Sequence, residues 1–387
     1  MPDKNYFSSS FKLGILGGGQ LGKMLLTDTR RYDIPTKVMD PSPVAPCRFG
    51  SNEFVQGDIT DKQAVLDFAK DCDVITIEIE NVSTEALHEL EAQGKIIYPR
   101  PRTLDIIKNK SLQKNFYREN KVPTASYFTF ENREQMMQLL LESELNPPFV
   151  WKAATGGYDG KGVSIVRNSS DIEDLPDMPG LIEEMVDYAV EIAVVVARSP
   201  SGETKSFPVV EMEFHPTANL VEYVFSPSNI DISIQNKANQ LAEEVAHKFD
   251  HVGLLAVEMF VTKDGHVMVN EVAPRVHNSG HLTIEGNVTS QFDQHLRAIL
   301  DLPLGDTEIV RPAVMINLTG EANHSGPVLY EGIEKIMKSS GVSIHLYGKA
   351  ETRPFRKMGH ITITAKTIEE AREVAGNVNN TIKVISQ

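Results

Sequence analysis

Two glutamates, Glu258 and Glu271, stand in a stretch dominated by β-branched and apolar residues: Leu254 to Val261, then Val267 to Val272. Between the runs lie Thr262-Lys263-Asp264-Gly265, and Asp-Gly supplies the residues that a hairpin turn needs. A four-residue turn that pairs Val261 with His266 sets Glu258 opposite Val269 and Ala256 opposite Glu271. The two carboxylates then share a face as diagonal neighbours, with Cβ atoms roughly 5.5–8 Å apart. Ala256, Phe260 and Val267 complete that face, so two like charges there repel each other and lose hydration. A hard divalent cation resolves the conflict. Magnesium suits the pair because it takes one or two carboxylates and fills its octahedron with water and phosphate oxygens. A hairpin with a solvated acidic face is the plain alternative. The segment after Glu271 argues against it: Pro274, Arg275, His277, Asn278, Ser279, Gly280 and His281 bring an anion binder and two imidazoles into a short polar stretch.

The elements that must carry this hairpin belong to a chain of 387 residues, enough for two or three domains. With 41% hydrophobic and 24% charged residues it falls in the soluble globular class. A formal net charge of -15 argues against general affinity for nucleic acid or an anionic membrane. It leaves room for a phosphorylated small molecule gripped by a few local cations. Cys47 and Cys72 form no Cys-x-x-Cys pair, so neither a zinc site nor a disulfide framework is expected. No apolar run approaches the roughly 18 residues of a membrane span, and a cytoplasmic protein is expected.

Lys12 to Leu16 reads as a buried strand, and Gly17, Gly19 and Gly22 fit G-x-G-x-x-G, a loop that brings backbone N–H groups up to a phosphate. Strands ending at Asp40 and spanning Asp73 to Glu80 alternate with helices, which predicts a Rossmann-like parallel sheet over residues 1–100. Glu80 would sit at a strand end where such sheets bind ligands, and Gln20 beside the glycines. The helix Thr103 to Asn120 carries Lys108, Lys110 and Lys114, by default a solvated face. Lys152 is embedded in the strand Phe149 to Ala154 and, if buried, needs an anion. Residues 155–162, with four glycines, read as a flap whose backbone can close over phosphates. Glu183 and Glu191 flank a connection between strands, as surface glutamates or as acceptors for an adenine amine and a ribose diol. After Pro303 a third, β-rich unit contains Lys349, Arg353, Arg356 and Lys357, an anion site or a basic surface patch.

In these residues the chain resembles the 5-(carboxyamino)imidazole ribonucleotide synthases, ATP-grasp ligases of purine biosynthesis. The likeness rests on Gly17 to Gly22, Gly156 to Gly162, Glu258 with Asn270 to His281, and Tyr347-Gly348-Lys349 with Arg356 to His360, in order along nearly the whole chain. It implies an α/β and α+β architecture: an N-terminal domain (1–100), a two-lobed ATP-grasp region (101–302) and a small C-terminal domain (303–387), in a homodimer. The implied substrates are aminoimidazole ribonucleotide, bicarbonate and ATP, with magnesium or manganese as cofactor. Carried over by position, Lys108 and Lys152 would meet ATP phosphates, Glu183 the adenine and Glu191 the ribose, with Lys161, Glu184 and Val186 also binding ATP. Glu258 and Glu271 would hold the metal. Gln20, Leu21, Glu80, Tyr158, Asp159, Lys349 and Arg356 would contact the ribonucleotide, and Arg275 with His277 the bicarbonate-derived group. His277 or Asp159 would take the amine proton. Two other readings are a formate-using glycinamide ribonucleotide transformylase, and a nucleotide-binding oxidoreductase with Asp40 on a ribose.

Overall fold

The computed structural model describes residues 5–143, 145–156, 162–214 and 220–387. The five strands of the N-terminal unit are parallel, in the order Glu53–Gln56, Thr36–Asp40, Leu13–Leu16, Val74–Ile77, Ile96–Ile97. Leu13–Leu16 and Val74–Ile77 are buried at every position, as expected of parallel strands covered on both faces. The chain leaves Leu13–Leu16 for the strand on one side and later returns on the other. That switch point opens a crevice at the carboxyl ends, where Gly17, Asp40 and Glu78 meet.

The second unit begins with a break between two helices. One continuous helix was expected over Thr103 to Asn120; instead Pro101–Lys108 and Lys110–Glu119 are separate. Asn109, extended at φ -117 and ψ 110, caps the second helix by accepting from the N–H groups of Ser111 (2.9 Å) and Leu112 (3.1 Å). Restarting the helix turns Lys114 into the protein, with Gln113 and Tyr117 also buried.

Four antiparallel strands come next, in the order Tyr127–Phe130, Gly180–Glu184, Phe149–Ala153, Val163–Val166, backed by the helix Arg133–Glu142. Residues Met185 to Asp187 join this small sheet to a nine-stranded antiparallel one. Its central strand Tyr188–Arg198 pairs with Gly253–Thr262 on one side and Val210–Phe214 on the other. The helix Ile232–Lys248 covers one face with the apolar stripe Ala238, Leu241, Ala242, Val245 and Ala246. Beyond Val221–Ser226 the same sheet continues into Ala313–Thr319, Lys357–Thr364 and Val342–Leu346. The C-terminal unit therefore extends the large sheet across the boundary expected near residue 303. Its own small sheet is Glu351–Thr352, Gly326–Glu331 and Lys383–Ser386. Among the described residues no helix is long and apolar enough to cross a membrane.

The hairpin Gly253–Thr262 and Val267–Ala273 forms, in a different register from the one counted on the sequence. Thr262 N–H donates to the His266 carbonyl (2.9 Å), leaving a three-residue turn closed by Gly265 at φ +80. Val261 pairs with Val267 and Met259 with Val269; then a bulge at Asn270 brings Glu258 directly opposite Glu271. The diagonal relation expected from a four-residue turn is replaced by direct opposition, because the shorter turn shifts the pairing by one residue and the bulge at Asn270 shifts it by one more.

Candidate active site

The bulge decides what the hairpin offers. Glu258 faces Glu271 across the strands, and Asn270 joins them: its Oδ1 accepts from Lys152 Nζ at 3.1 Å. Glu191 lies on the same sheet face, since Glu191 pairs with Phe260 and Ala193 with Glu258. Burial first, then the charges of Glu271 and Glu191, hold the Glu258 carboxyl well above the ordinary carboxylate range. Glu271 goes the other way, held low by the Lys110 ammonium 2.5 Å from its Oε2.

Lys152 is buried, and the anion it then needs is Glu183, with Nζ 2.7 Å from Oε2. Lys114 Nζ lies 2.7 Å from the other oxygen and donates to Thr124 Oγ1 at 2.5 Å. Thr124 donates in turn to the Val269 carbonyl (2.7 Å), tying the small sheet to the hairpin. Two expectations are corrected here. Lys110 and Lys114 are ion-paired components of the site, and only their i, i+4 spacing with Tyr117 one turn on hinted at a shared inward face. Glu183 is no surface residue: its side chain is buried against two lysines and its backbone lies in a central strand. Glu184 is exposed and Val186 half-buried beside the connection between the lobes. Glu191 borders an open cleft with Tyr188, Glu211, Met212 and Phe214, and Tyr188 stacks on Phe260 at 4.8 Å.

At the carboxyl end of the N-terminal sheet, Glu80 accepts Arg275 Nη2 at 2.9 Å, so two predicted site residues from distant parts of the chain meet. Lys108 falls beside them, donating to the Val82 carbonyl at 2.8 Å, and burial lowers its pKa. This places it near Glu80. Gln20 opens the helix Gln20–Arg31, whereas the Leu21 side chain is core, leaving only its backbone for a ligand. From the same helix Lys23 Nζ reaches the Leu346 carbonyl (2.7 Å), beside the Tyr347-Gly348-Lys349 turn. Lys349 donates to the Lys357 carbonyl (2.6 Å), and the Lys357 charge is felt at Glu258, which links the basic cluster to the hairpin. Arg356 donates to the Glu351 carbonyl at 2.7 Å.

Ser279 N–H points at His277 Nδ1 (3.3 Å), making that nitrogen an acceptor and leaving the ring proton on Nε2, 3.6 Å from Glu258. In this tautomer His277 offers a proton toward the carboxylates. The glycine loop is corrected most sharply. Its N–H groups are occupied by carboxylates of this chain: Glu78 takes Gly19 and Gly22, and Asp40 takes Gly18. The strand expected to reach Glu80 therefore ends at Ile77, and no phosphate cradle or ribose-binding Asp40 remains for a dinucleotide. Tyr158, Asp159 and Lys161, with most of the 155–162 flap, lie outside the described residues.

Comparison with known proteins agrees with this assembly. Residues 11–108 match the ribonucleotide synthetase preATP-grasp domain, 115–292 the ATP-grasp domain, and 313–374 the phosphoribosylaminoimidazole carboxylase C-terminal domain. The chain is 35% identical over 363 residues to the N5-carboxyaminoimidazole ribonucleotide synthase of Bacillus subtilis, covering 92% of each. It is 37% identical over 371 residues to the phosphoribosylaminoimidazole carboxylase of Candida glabrata, using 92% of this chain but spanning only 64% of that longer protein. The crystal structure of the Thermotoga maritima N5-carboxyaminoimidazole ribonucleotide synthetase superposes with a TM-score of 0.89 at 39% identity, over 97% of this chain and 100% of the other. The Aspergillus clavatus N5-carboxyaminoimidazole synthase, solved with ADP and 5-aminoimidazole ribonucleotide, gives 0.88 at 35% identity over 96% and 98%. By sequence, fold and the residues brought together, the chain belongs to the N5-carboxyaminoimidazole ribonucleotide synthase family.

Proposed function

We propose that this protein joins bicarbonate to the exocyclic amine of 5-aminoimidazole ribonucleotide, converting ATP to ADP and phosphate and giving 5-(carboxyamino)imidazole ribonucleotide. The observation that carries the reading is the bulge-built group of Glu258, Asn270 and Glu271 facing Lys152, with the Glu80–Arg275 pair linking the N-terminal unit to the hairpin's exit.

Bicarbonate is a poor electrophile. Its oxygen attacks the γ-phosphorus, the bond to ADP breaks, and carboxyphosphate forms; the amine nitrogen then attacks the carboxyl carbon, phosphate leaves, and the nitrogen gives up a proton. Lys152, oriented by Glu183 and Asn270, stabilises charge on the transferring phosphoryl group. Arg275, oriented by Glu80, presents its guanidinium to a planar carboxylate. His277 donates from Nε2 to the developing oxyanion, which leaves Asp159 as the base for the amine. Glu258 and Glu271 fit a magnesium ion, since one carboxyl is forced upward by burial and its neighbour while the other already holds a cation, Lys110. When bound, magnesium neutralises phosphate charge.

Glu258 must release its proton before it can hold the ion. Magnesium affinity is therefore expected to rise with pH until Glu258 is ionised, with up to about one proton released per ion. Calorimetry of magnesium binding in buffers of different ionisation enthalpy checks this, and heats independent of buffer would contradict it. Turnover with ribonucleotide, bicarbonate and Mg-ATP, omitting each in turn, tests the reaction itself; dependence on formate would favour the transformylase. Arg356→Ala is expected to raise the ribonucleotide KM about tenfold or more while the ATP KM stays nearly constant, as steady-state kinetics can show. The family resemblance extends the proposal to a homodimer, which sedimentation velocity checks.

A further inference from the structure

We infer that Glu78 is a positioning residue for the ribonucleotide, a carboxylate of the chain's own that occupies the anion cradle of the glycine loop and thereby sets Gln20, with the carboxylate-binding Arg275 held beside it. The inference rests on the proposed reaction, and it concerns a residue that itself meets no substrate.

The Glu78 side chain is buried at 8% exposure, at the carboxyl end of Val74–Ile77. Its Oε1 accepts from Gly19 N–H at 2.9 Å and its Oε2 from Gly22 N–H at 3.1 Å. These are the N-cap and third residues of the helix Gln20–Arg31, donors that in a dinucleotide fold face a pyrophosphate. Two of the motif's glycines are explained by this side chain. A Cβ on Gly17 would lie 2.6 Å from Glu78 Cγ, and one on Gly19 only 2.5 Å from Glu78 Oε1. The pattern that reads as a nucleotide fingerprint is here the footprint of an internal carboxylate.

Glu78 links what the ribonucleotide and the carboxyl group it receives need. Gln20 comes directly after Gly19 and begins the helix whose Lys23 holds the Leu346 carbonyl, one residue before the Tyr347-Gly348-Lys349 turn. Two residues after Glu78, Glu80 binds Arg275 Nη2 at 2.9 Å, and the Arg275 charge also reaches Glu78. A fixed carboxylate thus orders the loop without a ligand and keeps other phosphates out of it. Loss of that carboxylate should loosen Gln20, Arg275 and the Lys349 turn together, while Lys152, Glu258 and Glu271 keep their partners on other elements.

The test compares the full-length protein with Glu78→Ala and Glu78→Gln, measuring kcat and KM for ribonucleotide and for ATP, with and without acetate in the tens of millimolar. In Glu78→Ala the ribonucleotide KM is expected to rise by about tenfold or more, with the ATP KM within about twofold, and acetate to recover part of the loss by refilling the cradle. Glu78→Gln, which retains one acceptor, should fall between. If Glu78→Ala does not fold, Glu78→Gln alone decides through the same split between the two KM values. Equal rises in both, an unchanged ribonucleotide KM, or no response to acetate in a folded Glu78→Ala would overturn the inference. Wild-type turnover with the ribonucleotide, measured alongside, separates that outcome from failure of the proposed reaction.

Discussion

Replacing Glu271 with alanine is expected to lower ADP formation by about a thousandfold while leaving the protein folded. Glu271 is one of two carboxylates placed opposite each other by the bulge at Asn270, and on the proposed reading it holds the cation that offsets phosphate charge. Losing it removes an interaction that counts most in the transition state, so kcat falls more than KM rises. The fold should tolerate the change, because the side chain is 41% exposed and Lys110, its ion-pair partner, keeps the field of Glu183 and Glu258. A coupled assay for ADP and a thermal melt together check the prediction. Turnover near wild type would remove the metal assignment, whereas collapse of the melt would assign Glu271 a structural part instead. Glu258→Gln makes a useful companion. It keeps shape and removes the carboxyl that burial, Glu271 and Glu191 disfavour, so it should hold or raise the melting temperature while abolishing turnover.

Much of this site was legible in the sequence, and the misses share a cause. Apolar runs and an Asp-Gly turn announce the hairpin, and the polar segment after Glu271 marks it as functional. Neither announces that one extra residue would be absorbed at Asn270, because a bulge leaves the alternation on either side intact and only shifts its phase. Lys152 stood out as a cation inside an apolar strand and proved to be buried. Its partner was harder to see: Glu183 looks like any glutamate at a strand end until the small sheet folds Tyr127–Phe130 and Phe149–Ala153 on either side of it. The break at Asn109 decides which way Lys110 and Lys114 face, and a short polar residue within a helical pattern is a weak cue. The glycine loop misled in a different way. Its spacing reports close approach to the helix N-terminus but not what approaches, and a carboxylate meets the requirement as well as a phosphate does.

Glu183→Ala should be the most destabilising substitution at this site, by about 3–5 kcal/mol, because it strips the shared counter-ion from two buried ammonium groups. Lys114 and Lys152 both lie within 2.7 Å of its carboxylate, and all three residues are almost closed to solvent. Two cations against one anion leave a net positive charge in a buried place. Burial pushes the Lys114 ammonium down to about 8 even with Glu183 beside it, and Lys152 and Lys114 in turn keep the Glu183 carboxyl low. A phosphate on Lys152 would complete the charge balance, which is a physical reason for the cluster to prefer the nucleotide-bound state. The pH dependence has a definite sign. Lys114 ionises near 8 when folded and near 10.5 when unfolded, so the unfolded chain binds more protons between those values. Its contribution to stability is therefore present above 10.5 and is lost as pH falls through 8. Chemical denaturation of the nucleotide-free protein across that range should show stability from this group rising with pH, with a weaker slope once ATP holds the lysines charged. Removing the whole cluster, as Lys114→Met with Glu183→Leu and Lys152→Met, should restore most of the stability lost in Glu183→Ala while turnover remains absent. If Glu183→Ala instead melts within about 1 kcal/mol of wild type, water must reach these lysines, and the charge argument for nucleotide binding fails with it.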